Sequence, residues 1–193
     1  ANVVGRDISR LKGRKKDLRA LNIGATAVGT AVNVNPVYLF QIIKNINLIC
    51  GTDCYQADDL FDATQNLDCF VHVSGALKTC ASSLSKICND LRLLSSGPHA
   101  GLGEINLPPK QNGSSIMPGK INPVIPEVVS QVAFNVIGND VTVTMAAEAG
   151  QLELNAFEPV IFYKIFESID TLGGAVTTAF WESPQTASAD AGW

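Results

Sequence analysis

The chain has 193 residues, 46% of them hydrophobic and only 17% charged, so it can bury a sizeable core, and a single domain is expected. A formal charge of −4 gives no footing for a nucleic-acid or anionic-membrane partner, and the sparse charge points to surfaces covered by subunits. No apolar run is long enough to span a membrane, and residues 1–20 show no signal-peptide pattern. The 5 cysteines are Cys50, Cys54, Cys69, Cys80 and Cys88. Cys50 and Cys54 form a C-x3-C, but no second cysteine or histidine pair completes a zinc set, so free thiols in a reducing cytoplasm are expected.

Residues 1–20 read as a helix whose apolar positions Val4, Ile8, Leu11 and Leu18 share one face. The basic residues among them, from Arg6 to Arg19, read as the solvated side of that helix rather than as a nucleic-acid arm. Residues 21–36 are small and uncharged, with Gly24 and Gly29, and allow close approach to a helix or a ligand. Pro36 starts a short helix through Tyr38 to Ile49, and Gly51 stands where a C-capping glycine belongs.

Over residues 66–96, Phe70, Val73, Leu77, Cys80, Leu84, Ile87, Leu91 and Leu94 alternate spacings of three and four. That is the seam of a long helix packing at a shallow angle. His72 lies one position off the seam and is read as packing or facing solvent, not as a ligand; Ser95, Ser96, Gly97 and Pro98 end the helix. Residues 97–123 form a long polar connection of the kind that serves as a functional lid. A second long helix is expected from about Pro126. Val128, Val129, Val132, Ala133, Val136, Ile137 and Val141 leave it little polar face, so it should be buried on most sides, which implies an oligomer. A third helix is expected from Leu152 to Phe180, with Phe157, Ile161, Ile165, Ile169 and Leu172 inward and Glu158-Pro159 as a possible kink. From Trp181 the chain turns small and polar and reads as disordered.

Within the connection, Gly113-Ser-Ser-Ile-Met-Pro-Gly-Lys-Ile-Asn-Pro123 combines glycines, two hydroxyls, a Pro-Gly turn, a cation and an amide. Such a loop can bring backbone N–H groups close to an anion, with Lys120 as a point charge and Asn122 as a directed donor and acceptor. Proton abstraction or anion binding is one reading; an ordinary polar loop between two helices is the other.

Gly113 to Asn122 matches the signature of the fumarase/aspartase superfamily. Gly24-Ala-Thr-Ala-Val-Gly-Thr30, Ser85 to Pro98 and Ala100-Gly-Leu-Gly-Glu-Ile-Asn-Leu-Pro108 also resemble it. Asn122 to Val129, Ile137 to Asp140 and Ala147 to Asn155 are more similar to its aspartases than to its fumarases, and the resemblance runs to about residue 172. It implies an all-α bundle of long helices in a homotetramer, with active sites where three subunits meet. The implied activity is reversible deamination of L-aspartate to fumarate and ammonia, with no cofactor. Fumarase-type hydration of fumarate to malate and a catalytically incomplete structural bundle are the alternatives. By the same resemblance, Ser114 is the general base, Lys120 and Asn122 bind a substrate carboxylate, and Ser115 helps to shape that binding loop. No cluster of cation ligands stands out, and no metal is expected.

Family members are more than twice as long, and their upstream Thr, Ser, Asn and His contacts have no counterpart here. The position after Pro98, commonly arginine in the family, is His99. Residues 1–180 are therefore expected to be a central bundle fragment with a flexible catalytic loop at 97–123, and 181–193 a disordered or non-homologous tail. The 193-residue chain assayed alone is expected to turn over little or no L-aspartate, and robust fumarate formation by it would refute the fragment reading.

Overall fold

The computed structural model describes residues 2–97, 99–111, 116–117 and 119–182. The fold is all-α, as the sequence implies. The helices are α1 (Asn2–Arg14), α2 (Pro36–Cys50), α3 (Leu60–Gln65), α4 (Asp68–Leu94), α5 (Val124–Glu148) and α6 (Glu158–Glu182). A 3-10 turn follows α1 at Lys15–Leu18, and a short parallel ladder pairs β1 (Ala20–Leu21) with β2 (Tyr55–Gln56), Ala20 opposite Tyr55. Contacts divide the chain into two units, residues 1–77 with 139–166, and residues 78–138 with the part of α6 from 167.

In the first unit, α2 starts and stops where expected. Pro36 occupies its first turn, the Asn35 side chain accepts the Val37 N–H at 2.8 Å, and Gly51 ends it at φ 63°. The Asn47 side chain then ties that end to Cys54, just before β2: its Oδ1 accepts the Cys54 N–H at 2.8 Å, and its Nδ2 donates to the Cys54 carbonyl at 2.7 Å. Asp59 caps α3 by accepting from Phe61 and Asp62. Phe70 meets Phe162 edge to face at 5.0 Å, and the buried Ser74 hydroxyl donates to the buried Asp140 carboxylate at 2.8 Å.

The expected apolar face of the first helix is not buried. Val4, Ile8 and Leu18 are exposed, while Asp7 is buried and paired with Arg10. Helical spacing predicts which side chains share a face, not whether another element covers it. Arg14 and His72 both lie beside the Asp17 carboxylate, at 3.1 and 3.0 Å. His72 is otherwise exposed, and among the described residues no cluster of His, Cys, Asp or Glu could hold a metal.

The seam of α4 is as read, since none of Phe70, Val73, Leu77, Cys80, Leu84, Ile87, Leu91 and Leu94 is exposed. A neighbouring row of Ser74, Ala81, Ser85 and Cys88 is buried too, so the covered face is wider than a two-position seam. In the second unit, Cys88, Val129 and Ala175 form a buried cluster flanked by Leu84, Val132 and Ala179.

Two expectations for the later helices need correction. α5 is covered along one face, by Val129, Ala133, Val136, Val143 and Ala146, while Val128, Phe134, Val141 and Met145 are exposed; it is not buried on most sides within this chain. α6 begins at Glu158 rather than Leu152, because the buried Asn155 side chain ends one helix and starts the next. It donates to the Ala146 and Ala147 carbonyls at 3.0 and 3.1 Å and accepts the Phe157 N–H at 2.8 Å. Pro159 thus falls in the first turn, where a proline costs no helical hydrogen bond. Ile161, Ile165, Ser168, Leu172 and Ala175 are buried, whereas Phe157 and Ile169 are exposed. Residues 183–193, most of the expected tail, lie outside the described residues.

All the cysteines are free thiols. Burial, aided by the Asp68 charge, raises the Cys69 pKa from 9.0 to about 11, and burial raises that of Cys88. A thiol reagent at neutral pH should therefore label exposed Cys50 well before Cys69 or Cys88, as peptide mass mapping of timed samples would read. Because the folded Cys69 thiol holds its proton above the pKa it has when unfolded, its contribution to stability is complete below pH 9.0. It is lost as the pH rises towards about 11, and Cys69→Ala should flatten that part of the stability profile. Ser130 is buried in α5 with its hydroxyl unpartnered among the described residues, so Ser130→Ala should raise stability by about 1 kcal/mol. Ser74→Ala, which takes a donor from buried Asp140, should lower it by about 1–3 kcal/mol; denaturant melts would read both.

Candidate active site

The site begins with how α4 stops. Its last carbonyls all find donors. Leu91 accepts the Ser95 N–H at 3.0 Å, Arg92 the Ser95 hydroxyl at 3.2 Å, and Leu93 the Ser96 hydroxyl at 2.6 Å. Leu94 accepts from farther along the chain, from the Glu104 N–H at 2.9 Å. The connection therefore doubles back on the helix end. Ser96 fastens it further, accepting the Gly103 N–H on its carbonyl at 2.7 Å and the Leu102 N–H on its hydroxyl at 3.1 Å. The approach is so close that a Cβ on Gly101 would lie 2.2 Å from the Ser96 carbonyl carbon, which only glycine permits.

The other wall is the turn before α5. The Lys120 N–H donates to the Met117 carbonyl at 3.1 Å, and Gly119 beside it takes a left-handed φ of 84°, which favours glycine. The Gly119 part of the expected Pro-Gly turn is thus in place; Pro118 lies outside the described residues. Pro123 then accepts the Glu127 N–H at 3.2 Å and leads into α5.

Between these walls lies a cleft of about 670 Å3. Its polar lining is Ser95, Ser96, Asn106, Lys120 and Asn122, and Ile105, Leu107, Ile121 and Pro123 supply apolar surface. Lys120 is its one charged residue, exposed and without an ion-pair partner among the described residues. A cation beside two carboxamides, with no carboxylate among the described residues of the lining, suits a small anion. Lys120 and Asn122, separated by one residue in sequence, are brought to the same cleft; Ser114 and Ser115 lie outside the described residues. The sequence reading missed Asn106 and the two serines at the end of α4. Ser95 and Ser96 carried a signal, as hydroxyls just past a helix end, whereas Asn106 between Ile105 and Leu107 carried none beyond its place in a family-like motif.

An all-α chain with long helices and an anion-receptive cleft beside a Pro-Gly-Lys turn defines a class of protein, and residues 1–138 match the family described as "Lyase". The chain belongs to that family. It is 57% identical over 178 residues to an aspartate ammonia-lyase of Helicobacter pylori, an alignment covering 92% of this chain and 38% of that protein. Its structure is similar to that of a fumarate lyase:delta crystallin from Brucella melitensis bound to cobalt, with a TM-score of 0.92 and 50% identity, over 96% of this chain and 40% of that one. It is also similar to a class II fumarase from Schistosoma mansoni, with a TM-score of 0.93 and 28% identity, over 98% and 43%. The chain thus spans well under half the length of these relatives.

Gly119 has open space where a Cβ would sit, so Gly119→Ala tests backbone strain alone. The left-handed φ should cost alanine about 1–2 kcal/mol and loosen the turn, with Gly119→Asn costing less. Hydrogen exchange of the Lys120 amide, which closes the turn, should speed up in that order of cost.

Proposed function

We propose that this chain supplies the catalytic-loop part of an aspartate ammonia-lyase, which interconverts L-aspartate with fumarate and ammonia. The observation that carries the reading is the 57% identity to the Helicobacter pylori aspartate ammonia-lyase. An alignment of 178 residues out of 193 necessarily runs through both walls of the cleft. The lower identity of 28% to the Schistosoma mansoni fumarase makes hydration of fumarate the weaker reading.

In this reading Lys120 holds a substrate carboxylate by charge and Asn122 by directed hydrogen bonds. Ser114 removes the proton from the carbon next to the carboxylate that does not bear the amine. The electron pair left behind delocalises into that carboxylate as an aci-carboxylate, then returns to form the double bond as ammonia departs. A serine hydroxyl is a weak base in water, so its alkoxide needs oriented donors and exclusion of solvent, both of which a glycine-rich flap offers on closing. Ser115 helps to shape the loop that binds the substrate. The exposed apolar residues of α5, Phe134 and Met145 among them, support assembly as a homotetramer. Among the described residues no helix is long and apolar enough to cross a membrane, which fits a cytoplasmic enzyme.

A chimaera tests the reading: residues 16–172 of this chain placed in the corresponding stretch of the Helicobacter pylori enzyme. It should form fumarate from L-aspartate, read in the fumarate absorbance band, and Ser114→Ala should cut kcat by about 10²- to 10⁴-fold with the melting temperature kept. Undiminished turnover in Ser114→Ala would move the base elsewhere. Faster formation of malate than of aspartate from fumarate with ammonium would replace the aspartase reading by fumarase.

A further inference from the structure

We propose that the exposed face of α1 and of the turn after it binds the phosphate backbone of a double-stranded nucleic acid through Arg6, Lys12, Lys15 and Lys16. This role is independent of the cleft and of the lyase reading. The net charge of −4 hides an uneven distribution. Residues 1–19 hold 7 of the 14 Lys and Arg but 2 of the 18 Asp and Glu, a net of +5 against −9 for the rest of the chain. At physiological salt, exposed charges are screened beyond about 8 Å, so a polyanion held against α1 meets the local excess rather than the total.

Three of the seven cations are occupied: Arg10 pairs with Asp7, Arg14 with Asp17, and Arg19 with Asp53. Arg6, Lys12, Lys15 and Lys16 are exposed and have no carboxylate partner among the described residues. Neither acidic residue of the segment competes for them, since Asp7 is buried and Asp17 is held between Arg14 and His72. The face is also open. A Cβ on Gly5 or Gly13 would meet nothing within 4 Å, and a groove of about 570 Å3 runs over Asn2, Gly5, Arg6 and Ser9. Arg6 and Lys12, three residues to either side of Ser9, flank that surface, so a phosphodiester backbone can lie against the helix between cations.

Other occupants fit less well. Lysine is depleted at the centres of subunit interfaces, and α5 and α6 carry the large uncovered apolar side chains, Phe134, Met145, Tyr163 and Phe166 among them. A lipid surface takes helices with large apolar side chains opposite their cations, whereas α1 exposes only Val4 and Ile8 and has no aromatic residue. The same lack of rings favours a duplex over a single strand, whose bases proteins hold by aromatic stacking.

The test is fluorescence anisotropy of a labelled DNA duplex of arbitrary sequence titrated with the 193-residue chain. Four phosphate contacts give a slope of log K against log salt of about −3.6, so affinity should fall about 150-fold between roughly 50 and 200 mM salt. A second, unrelated duplex should bind equally well. Lys15→Gln with Lys16→Gln should weaken binding and cut that fall to about 12-fold, and Arg6→Gln with Lys12→Gln should do the same independently. Lys44→Gln on α2 should change neither quantity, and melting temperatures within error of the parent would show that the fold is kept. A salt dependence that neither pair of substitutions alters overturns the proposal. So does tighter binding to vesicles of anionic phospholipid than to the duplex, which would make lipid the partner. The Helicobacter pylori enzyme carrying residues 1–172 of this chain in the corresponding stretch should bind the duplex with the same salt slope. Loss of binding there would show the face covered in the assembled enzyme and overturn the role.

Discussion

A helix that stops inside a folded chain leaves its last four carbonyls without partners, and the structure here is arranged around the ways that constraint is met. At the end of α2, Gly51 takes a left-handed turn and Asn47 reaches across to Cys54, which sets the short ladder between β1 and β2. At the end of α5, one buried Asn155 amide supplies two carbonyls while its oxygen accepts the Phe157 N–H at the start of α6, so a single side chain places both helices. At the end of α4, the donors come from Ser95 and Ser96 and from Glu104 after the chain has doubled back. That third solution makes the cleft, because the segment that closes the helix is also its wall.

The chemistry of the cleft follows from which groups remain unused once the wall is built. Hydroxyls that close a helix are not available to a ligand, and carboxamides and an ammonium are. With Lys120 as the only charge among the described residues of the lining, the cleft is receptive to an anion. The family match and the high identity to an aspartate ammonia-lyase turn a general anion site into a proposal about dicarboxylates. The low charge content has a counterpart in the outward apolar side chains of α5 and α6, such as Phe134, Met145, Tyr163 and Phe166, which one chain leaves uncovered.

Some of this was legible in the residues. The three-and-four spacing of α4, the Asn-Pro start and Gly51 stop of α2, and the serines past Leu94 are local signals, and each matched what formed. Which faces are covered is less legible. Val4 and Ile8 share a face that is exposed among the described residues, and α5 has little polar face but is buried on one side there. Periodicity reports the face of a helix, whereas burial depends on what packs there. The start of α6 differs from the sequence expectation for another reason: Leu152 is a good helix former, but Asn155 is held by carbonyls that belong to the preceding helix.

The sequence by itself determined the helical class, the position of the long seam, the Gly119 turn and, through its loop signature, the family. These depend on neighbours within a turn or two and on a motif read as a string. Tertiary structure decided that the segment after α4 folds back onto Leu94, that Asn155 joins two helices, and that Asn106 shares a cleft with Lys120 and Asn122. The physical reason is the same in each case. An unpaired carbonyl must find a donor, but nothing local says which donor along the chain will reach it.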